Sequence, residues 1–111
     1  MDNKKDDKYY AQKAIVELDI LIEYINNVSF DEYTHDTRLI DATMFRFTQL
    51  VEYIKGLSDK FKNDHQEIPW NKIVGFRNKI VHEYGRIDYS VVYEIMHDDV
   101  HKLKEILATL L

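Results

Sequence analysis

The chain has no cysteine, one proline and three glycines among its 111 residues. Without thiols, disulfides and thiolate metal sites are excluded, and the composition fits a cytoplasmic location. With so few breakers there is little room for the many tight turns of an all-β chain, so long helices are expected. No apolar run approaches the length of about 20 residues that crosses a bilayer. Met1 to Lys8 is charged and lacks the apolar core of a signal peptide, so it reads as a solvated leader. Also missing are a glycine-rich phosphate loop, a serine-centred hydrolase turn and the carboxylate set of a two-metal nuclease.

What is present is apolar and aromatic. Hydrophobic residues make up 45% of the chain, and there are eight Tyr and five Phe. That is enough for one packed core, and the length suits a single domain over 1–111. The formal net charge of −5 argues against a general nucleic-acid coat protein. The distribution matters more. From Pro69 to Asp88 there are four cations (Lys72, Arg77, Lys79, Arg86) and two anions (Glu83, Asp88). The remainder carries 11 cations and 18 anions.

Four main helices are expected, joined by short connections in an all-α, up-and-down bundle. The first runs from about Tyr9 to Asn27, with Ala11, Ala14, Ile15, Leu18, Leu21, Ile22 and Ile25 at helical spacing. Asn26, Asn27 and Ser29 interrupt it. A short turn at Asp31 to Tyr33 precedes the second helix, Asp36 to Phe61, whose stripe includes Leu39, Ile40, Met44, Phe47, Leu50, Val51 and Ile54. Asp36 or Thr37 can cap its start. Gly56 weakens it, and Lys62 to Glu67 reads as a loop. The third helix follows Ile68-Pro69-Trp70, with Asn71 as an alternative cap, and stops near Gly85, a candidate left-handed terminator. Asp88 can cap the fourth, whose apolar face runs from Val92 to Leu110.

The chemistry concentrates in Arg77-Asn78-Lys79-Ile80-Val81-His82-Glu83-Tyr84. Asn78 and His82 are four apart, so on a helix they share a face with an offset of roughly 40°. Arg77 flanks the same edge. An imidazole changes charge near neutral pH and can take a proton from a ribose 2′-hydroxyl or give one to a leaving 5′-oxygen. A guanidinium can hold the phosphate and offset transition-state charge. Asn78 can orient His82 or donate to a phosphate oxygen. No metal or other cofactor is required. Arg77, Asn78, His82 and Tyr84 cannot converge on one atom from a single helix, but two copies facing across a twofold axis could line a shared groove. Lys72, Lys79 and Arg86 are candidate RNA contacts. The bland alternative makes Arg77 and Asn78 a solvated face and packs His82 against a neighbouring helix.

The run R-N-x-x-x-H-x-Y resembles the active-site motif of HEPN-superfamily ribonucleases, and the R-x4-H-x-Y of HepT-like toxins above all. The resemblance extends over IPWNKIVGFRNKIVHEY (residues 68–84), then Ile87-Asp88 and Val91-Val92-Tyr93. It implies a homodimeric helical bundle and a metal-independent endoribonuclease, the toxin half of a toxin–antitoxin pair. Arg77 and His82 match the family's catalytic positions, and Asn78 the polar position after the arginine. Tyr84 matches the tyrosine to which an MntA-type nucleotidyltransferase antitoxin attaches AMP. RNA, not DNA, is the implied substrate.

Other features have simpler readings. Tyr84 can also anchor its helix end, ring in the core and hydroxyl wet. Trp70 and Phe76 read as core rather than as base-stacking platforms. His97 and His101 have a spacing that can hold zinc, but no third ligand is indicated. Asp31, Glu32, His35 and Asp36 read as helix-start chemistry, and Glu17, Asp19 and Glu23 as acidic surface. Glu83 is expected to face away from the groove. The alternative function is a non-catalytic helical partner of a nucleotidyltransferase.

Overall fold

A computed structural model describes residues 5–111. Helix α1 (Asp7–Ile25) starts where the Asp6 carboxylate accepts the Tyr9 amide, two residues before the expected start. Asp7 and Lys8 are therefore helical rather than leader, and Met1 to Lys4 lie outside the described residues. The helix ends ahead of Asn27, which takes the left-handed conformation (φ 61°) that asparagine tolerates best among side chains after glycine. Helix α2 (Phe30–Thr34) is the expected short turn, closed at its start by a capping box between Ser29 and Glu32. Helix α3 (Thr37–Gly56) is capped by Asp36.

The predicted second helix to Phe61 is broken into two. Leu57 leaves the helical region, and Ser58 restarts it as the cap of α4 (Asp59–Asp64). Asp7 locks this corner, accepting both the amide and the hydroxyl of Ser58 at 2.7 Å. A contact 51 residues away therefore decides the break. The first part of the predicted loop Lys62 to Glu67 is correspondingly helical.

Helix α5 (Trp70–Glu83) enters from Pro69 without a side-chain cap, and Asn71 lies inside its first turn. Gly85 does not terminate it in a left-handed conformation. Tyr84 to Arg86 instead tighten into one 3₁₀ turn. Because Asp88 caps the next helix only two residues later, the chain reverses by tightening rather than by a glycine hinge. Helices α6 (Tyr89–Glu94) and α7 (Val100–Ala108) run on through a π-helical turn at Ile95–Asp99, so they act as the single fourth helix the pattern predicted.

Pairings give the topology. Asp7 meets Ser58 and Glu17 meets Arg46, so α1 and α3 are antiparallel. Glu52 meets Arg77 and Asp41 meets Tyr84, so α3 and α5 are antiparallel. Asp19 pairs with Lys104, and the Tyr93 hydroxyl donates to the Val28 carbonyl, so α7 returns antiparallel to α1. The result is an all-α up-and-down bundle. No helix among the described residues is long and apolar enough to cross a membrane.

The core collects Leu18, Leu21, Phe47, Leu50, Ile54, Ile73, Phe76, Met96 and Leu103, all buried. Phe47 and Phe76 meet edge to face at 5.8 Å. Phe76 is core, and Trp70 packs against the core beside Phe61, its indole N–H donating to the Lys62 and His65 carbonyls. Glu17 is not acidic surface: it is buried and paired with Arg46 at 3.3 Å.

One buried polar pair tests this packing. Thr43 donates its hydroxyl to the Ile40 carbonyl at 2.9 Å, so the Tyr33 hydroxyl, 2.7 Å away, must donate to Thr43. Burial pushes the Tyr33 phenol up to about 12. Thr43→Val strands that phenol, and denaturant titration is expected to show a loss of about 1–3 kcal/mol. Two glycines make a second test. A methyl at Gly56 overlaps the Tyr10 ring, whereas at Gly75 it meets no atom within 4 Å. Gly75→Ala is expected to stabilise the fold by up to about 1 kcal/mol through helix propensity, and Gly56→Ala to destabilise it despite the same propensity gain. Thermal melts of the two variants check the opposite signs.

Candidate active site

Helix α5 buries Ile73, Phe76 and Ile80 and turns Asn78, Lys79, Val81 and His82 outward. This follows from its apolar spacing: with 73, 76 and 80 in the core, 78 and 82 are on the far side. His82 is exposed, and its side chain makes no hydrogen bond or ion pair among the described residues. It does not pack against a neighbouring helix, which removes the bland reading for this residue.

Arg77 lies at the boundary between these faces. Its side chain is only 22% exposed. One terminal nitrogen donates to Glu52 Oε1 at 3.0 Å, and the other to Asn78 Oδ1 at 3.3 Å. Its Nε is buried without a partner. Asn78 therefore engages Arg77 rather than His82.

His82, Glu83, Tyr84, Gly85 and Arg86 border a shallow depression of about 430 Å³ at the end of α5. Glu83 shares this rim with His82 rather than facing away from it. Asp41, Met44, Phe45, Thr48, Ile80 and Tyr84 border a second depression of about 330 Å³ on α3. Tyr84 belongs to both. Its ring is not in the core; it is 42% exposed, and its hydroxyl donates to the Asp41 carboxylate. Partial burial, followed by the neighbouring Asp41 carboxylate, raises the phenol well above the ordinary tyrosine value.

The cations divide. Arg86 borders the His82 depression, and Lys79 is exposed one turn before it. Lys72 sits near the opposite end of α5 and is held by Glu94 at 3.0 Å and Asp99 at 3.2 Å. The hydrogen bond that Lys72 donates to Glu94, outweighing some loss of hydration, raises its pKa. Its charge is paired at this surface, and of the three candidate RNA contacts it lies farthest from His82 along the chain. His97 bonds Asp98 at 3.0 Å and stacks on Tyr93. No group of three His, Asp or Glu side chains that could hold a metal occurs among the described residues.

Two residues beside the motif escaped the sequence reading, Glu52 and Asp41. Both lie on α3, 25 and 43 positions from their partners. Nothing local marks them. Only the antiparallel pairing of α3 with α5, plus one acidic residue on the facing side every few turns, could have suggested them.

Comparison with known proteins gives the family. The family described as "Ribonuclease HepT-like" matches residues 14–110. A protein of Caldanaerobacter subterraneus subsp. tengcongensis named "Putative RNase TTE0752" is 28% identical over 96 residues, 86% of each chain. "Probable ribonuclease HepT" of Thermococcus cleftensis is 25% identical over 101 residues, 91% of this chain and 92% of that one. No solved structure matches the chain. With the match running from the first helix to the last and enclosing the Arg77–His82–Tyr84 segment, the chain belongs to the HepT-like ribonucleases of the HEPN superfamily.

Proposed function

We propose that this chain is a metal-independent endoribonuclease that works as a homodimer and is the toxin half of a toxin–antitoxin pair. The observation that carries the reading is the outward face of α5, where an unpartnered His82 stands within one and a half turns of a guanidinium held in a fixed pose. Beside it, Phe45, Val81 and Tyr84 leave apolar surface exposed at 57%, 52% and 42%. Such a strip next to a polar rim is the kind of surface a second copy covers. A twofold axis along it would bring two imidazoles to one RNA strand.

In that groove one His82 takes the proton from a ribose 2′-hydroxyl. The freed oxygen attacks the adjacent phosphorus, and the bond to the 5′-oxygen breaks. The second copy's imidazole, protonated, gives its proton to that leaving oxygen. The products are a 2′,3′-cyclic phosphate and a 5′-hydroxyl end. Arg77 offsets the charge of the pentacoordinate state, and Asn78 holds Arg77 from the side. Lys79 and Arg86 contact flanking phosphates. DNA lacks the 2′-hydroxyl and is not cut.

Tyr84 is the acceptor for AMP from an MntA-type nucleotidyltransferase. Its oxygen attacks the α-phosphorus of ATP, pyrophosphate leaves, and Asp41, which already accepts the phenol's hydrogen bond, receives the proton. An adenylate beside His82 adds bulk and negative charge, which excludes RNA. The acidic neighbours Glu52 and Glu83 are what favours the alternative of a non-catalytic partner, and activity decides between the two.

His82→Ala is expected to lower cleavage of RNA in excess EDTA by about 10²-fold or more, the scale of a lost general acid–base, with an unchanged thermal melt. Cleavage equal to the parent's would refute the assignment. For the tyrosine, intact mass after co-expression with the nucleotidyltransferase is the readout. The parent is expected to gain the mass of one or more AMP groups and Tyr84→Phe none. An equal gain in the variant means that another residue is the acceptor.

A further inference from the structure

Glu52 is on a different helix from the motif, and nothing in the motif requires it. Yet its carboxylate is the only acidic partner of Arg77 among the described residues. We propose that Glu52 is a positioning residue, holding the Arg77 guanidinium in the pose that meets the scissile phosphate. This rests on the ribonuclease reading and adds to it a residue that acts through another.

The geometry supports a grip rather than a chance surface pair. Glu52 Oε1 takes one terminal nitrogen at 3.0 Å, and Asn78 Oδ1 takes the other at 3.3 Å. The two acceptors come from different helices, so the planar fork is held from two sides. Each bond uses one hydrogen of its nitrogen, and each terminal nitrogen has two. One N–H on each is left for a phosphate, the bidentate pattern that guanidinium suits. Nε is buried and unpartnered, so this pose carries an unmet donor that the bonds to Glu52 and Asn78 must offset. An Arg77 freed from Glu52 would move Nε into solvent, where its N–H is hydrated.

An anion beside a phosphate site needs its own charge offset. Lys55, one turn further along α3, stands 3.8 Å from Glu52 Oε2. Lys55, Glu52 and Arg77 together keep a charge of +1, so the cluster still attracts phosphate while Glu52 is spent on geometry. The alternative is that Glu52 competes with RNA for Arg77. In that case its removal would raise activity.

The experiment measures steady-state cleavage of an RNA substrate by the full chain, with a thermal melt of each variant. Glu52→Ala is expected to lower kcat by about ten- to a hundredfold, the scale of lost orientation in a catalytic group, with KM unchanged or lower. Glu52→Gln keeps an acceptor oxygen at the same reach and is expected to restore most of kcat. Glu52→Asp keeps the charge but shortens the reach, and is expected to behave like the alanine variant. That third variant carries the test if Glu52→Ala does not fold. The proposal is overturned if kcat stays within about twofold of the parent's in Glu52→Ala or Glu52→Asp, if activity rises, or if the loss falls only on KM. A parent protein that cuts no RNA refutes the ribonuclease reading itself, which is a different result.

Discussion

The register of α5 on α3 is the constraint on which the site depends. Three contacts fix it. Phe47 meets Phe76 in the core, Glu52 holds Arg77 toward one end, and Asp41 holds Tyr84 toward the other. The aromatic contact is buried and sets the distance between helices. The two polar contacts lie at the edge of the seam and set rotation and slide. If α5 turned by one residue about its axis, about 100°, Phe76 would leave the core and His82 would lose its outward position. Core packing and site geometry are therefore the same variable. A change in the α3–α5 seam that leaves every motif residue in place can still misplace the chemistry.

Much of this could be read from the chain beforehand, because periodicity records what each helix buries. The stripes of α1, α3 and the last helix face the core as their spacing implied, and so do Ile73, Val74, Phe76 and Ile80 of α5, whereas Val81, which the same spacing placed on that stripe, is exposed. The caps at Asp36 and Asp88 were equally plain, since a side-chain oxygen at a helix start acts on its own next turn. What could not be read depends on distant contacts. The break at Leu57 and Ser58 is held by Asp7, from the first turn of the first helix. The end of α5 at Gly85 offered the familiar left-handed stop. The chain tightened instead, because Asp88 starts the next helix at once. In the site, the motif showed which groups were available, and the fold showed what already occupied them. Lys72, expected as an RNA contact, is paired with Glu94 and Asp99, partners that nothing in the motif marks. Arg77 is likewise paired, with Glu52.

Charge gives the same lesson on a larger scale. The segment Pro69 to Asp88 carries excess positive charge by sequence. In the folded chain, Lys72 is neutralised from the last helix and Arg77 is paired across the seam, while Asp88, held low chiefly by hydrogen bonds from Ser90, lies within the field of Lys79. Arg86 remains at the rim. A surface with so little free positive charge attracts nucleic acid weakly at long range, because the attraction scales with the phosphates neutralised. A strand reaching this site would be held by a few contacts at the reacting phosphate rather than by a broad basic track. Such an enzyme would be selective for how an RNA presents one linkage, and its binding would respond to salt with a shallow slope.

The leftover apolar surface completes the physical argument. Gly56 lets α1 approach α3 against the Tyr10 ring, and Ala11 and Ala14 are fully buried nearby. One side of α3 is thereby closed by α1. Its other side is closed only in part by α5, and Phe45 and Val81 are left open there. No further helix among the described residues covers them. The exposed strip and the His82 face adjoin because both are what α3 and α5 do not use on each other. A second copy seated on that strip would remove apolar surface from water and set two reacting groups opposite each other in a single step. Stability and catalysis would then rest on one interface, and neither would be complete in a lone subunit.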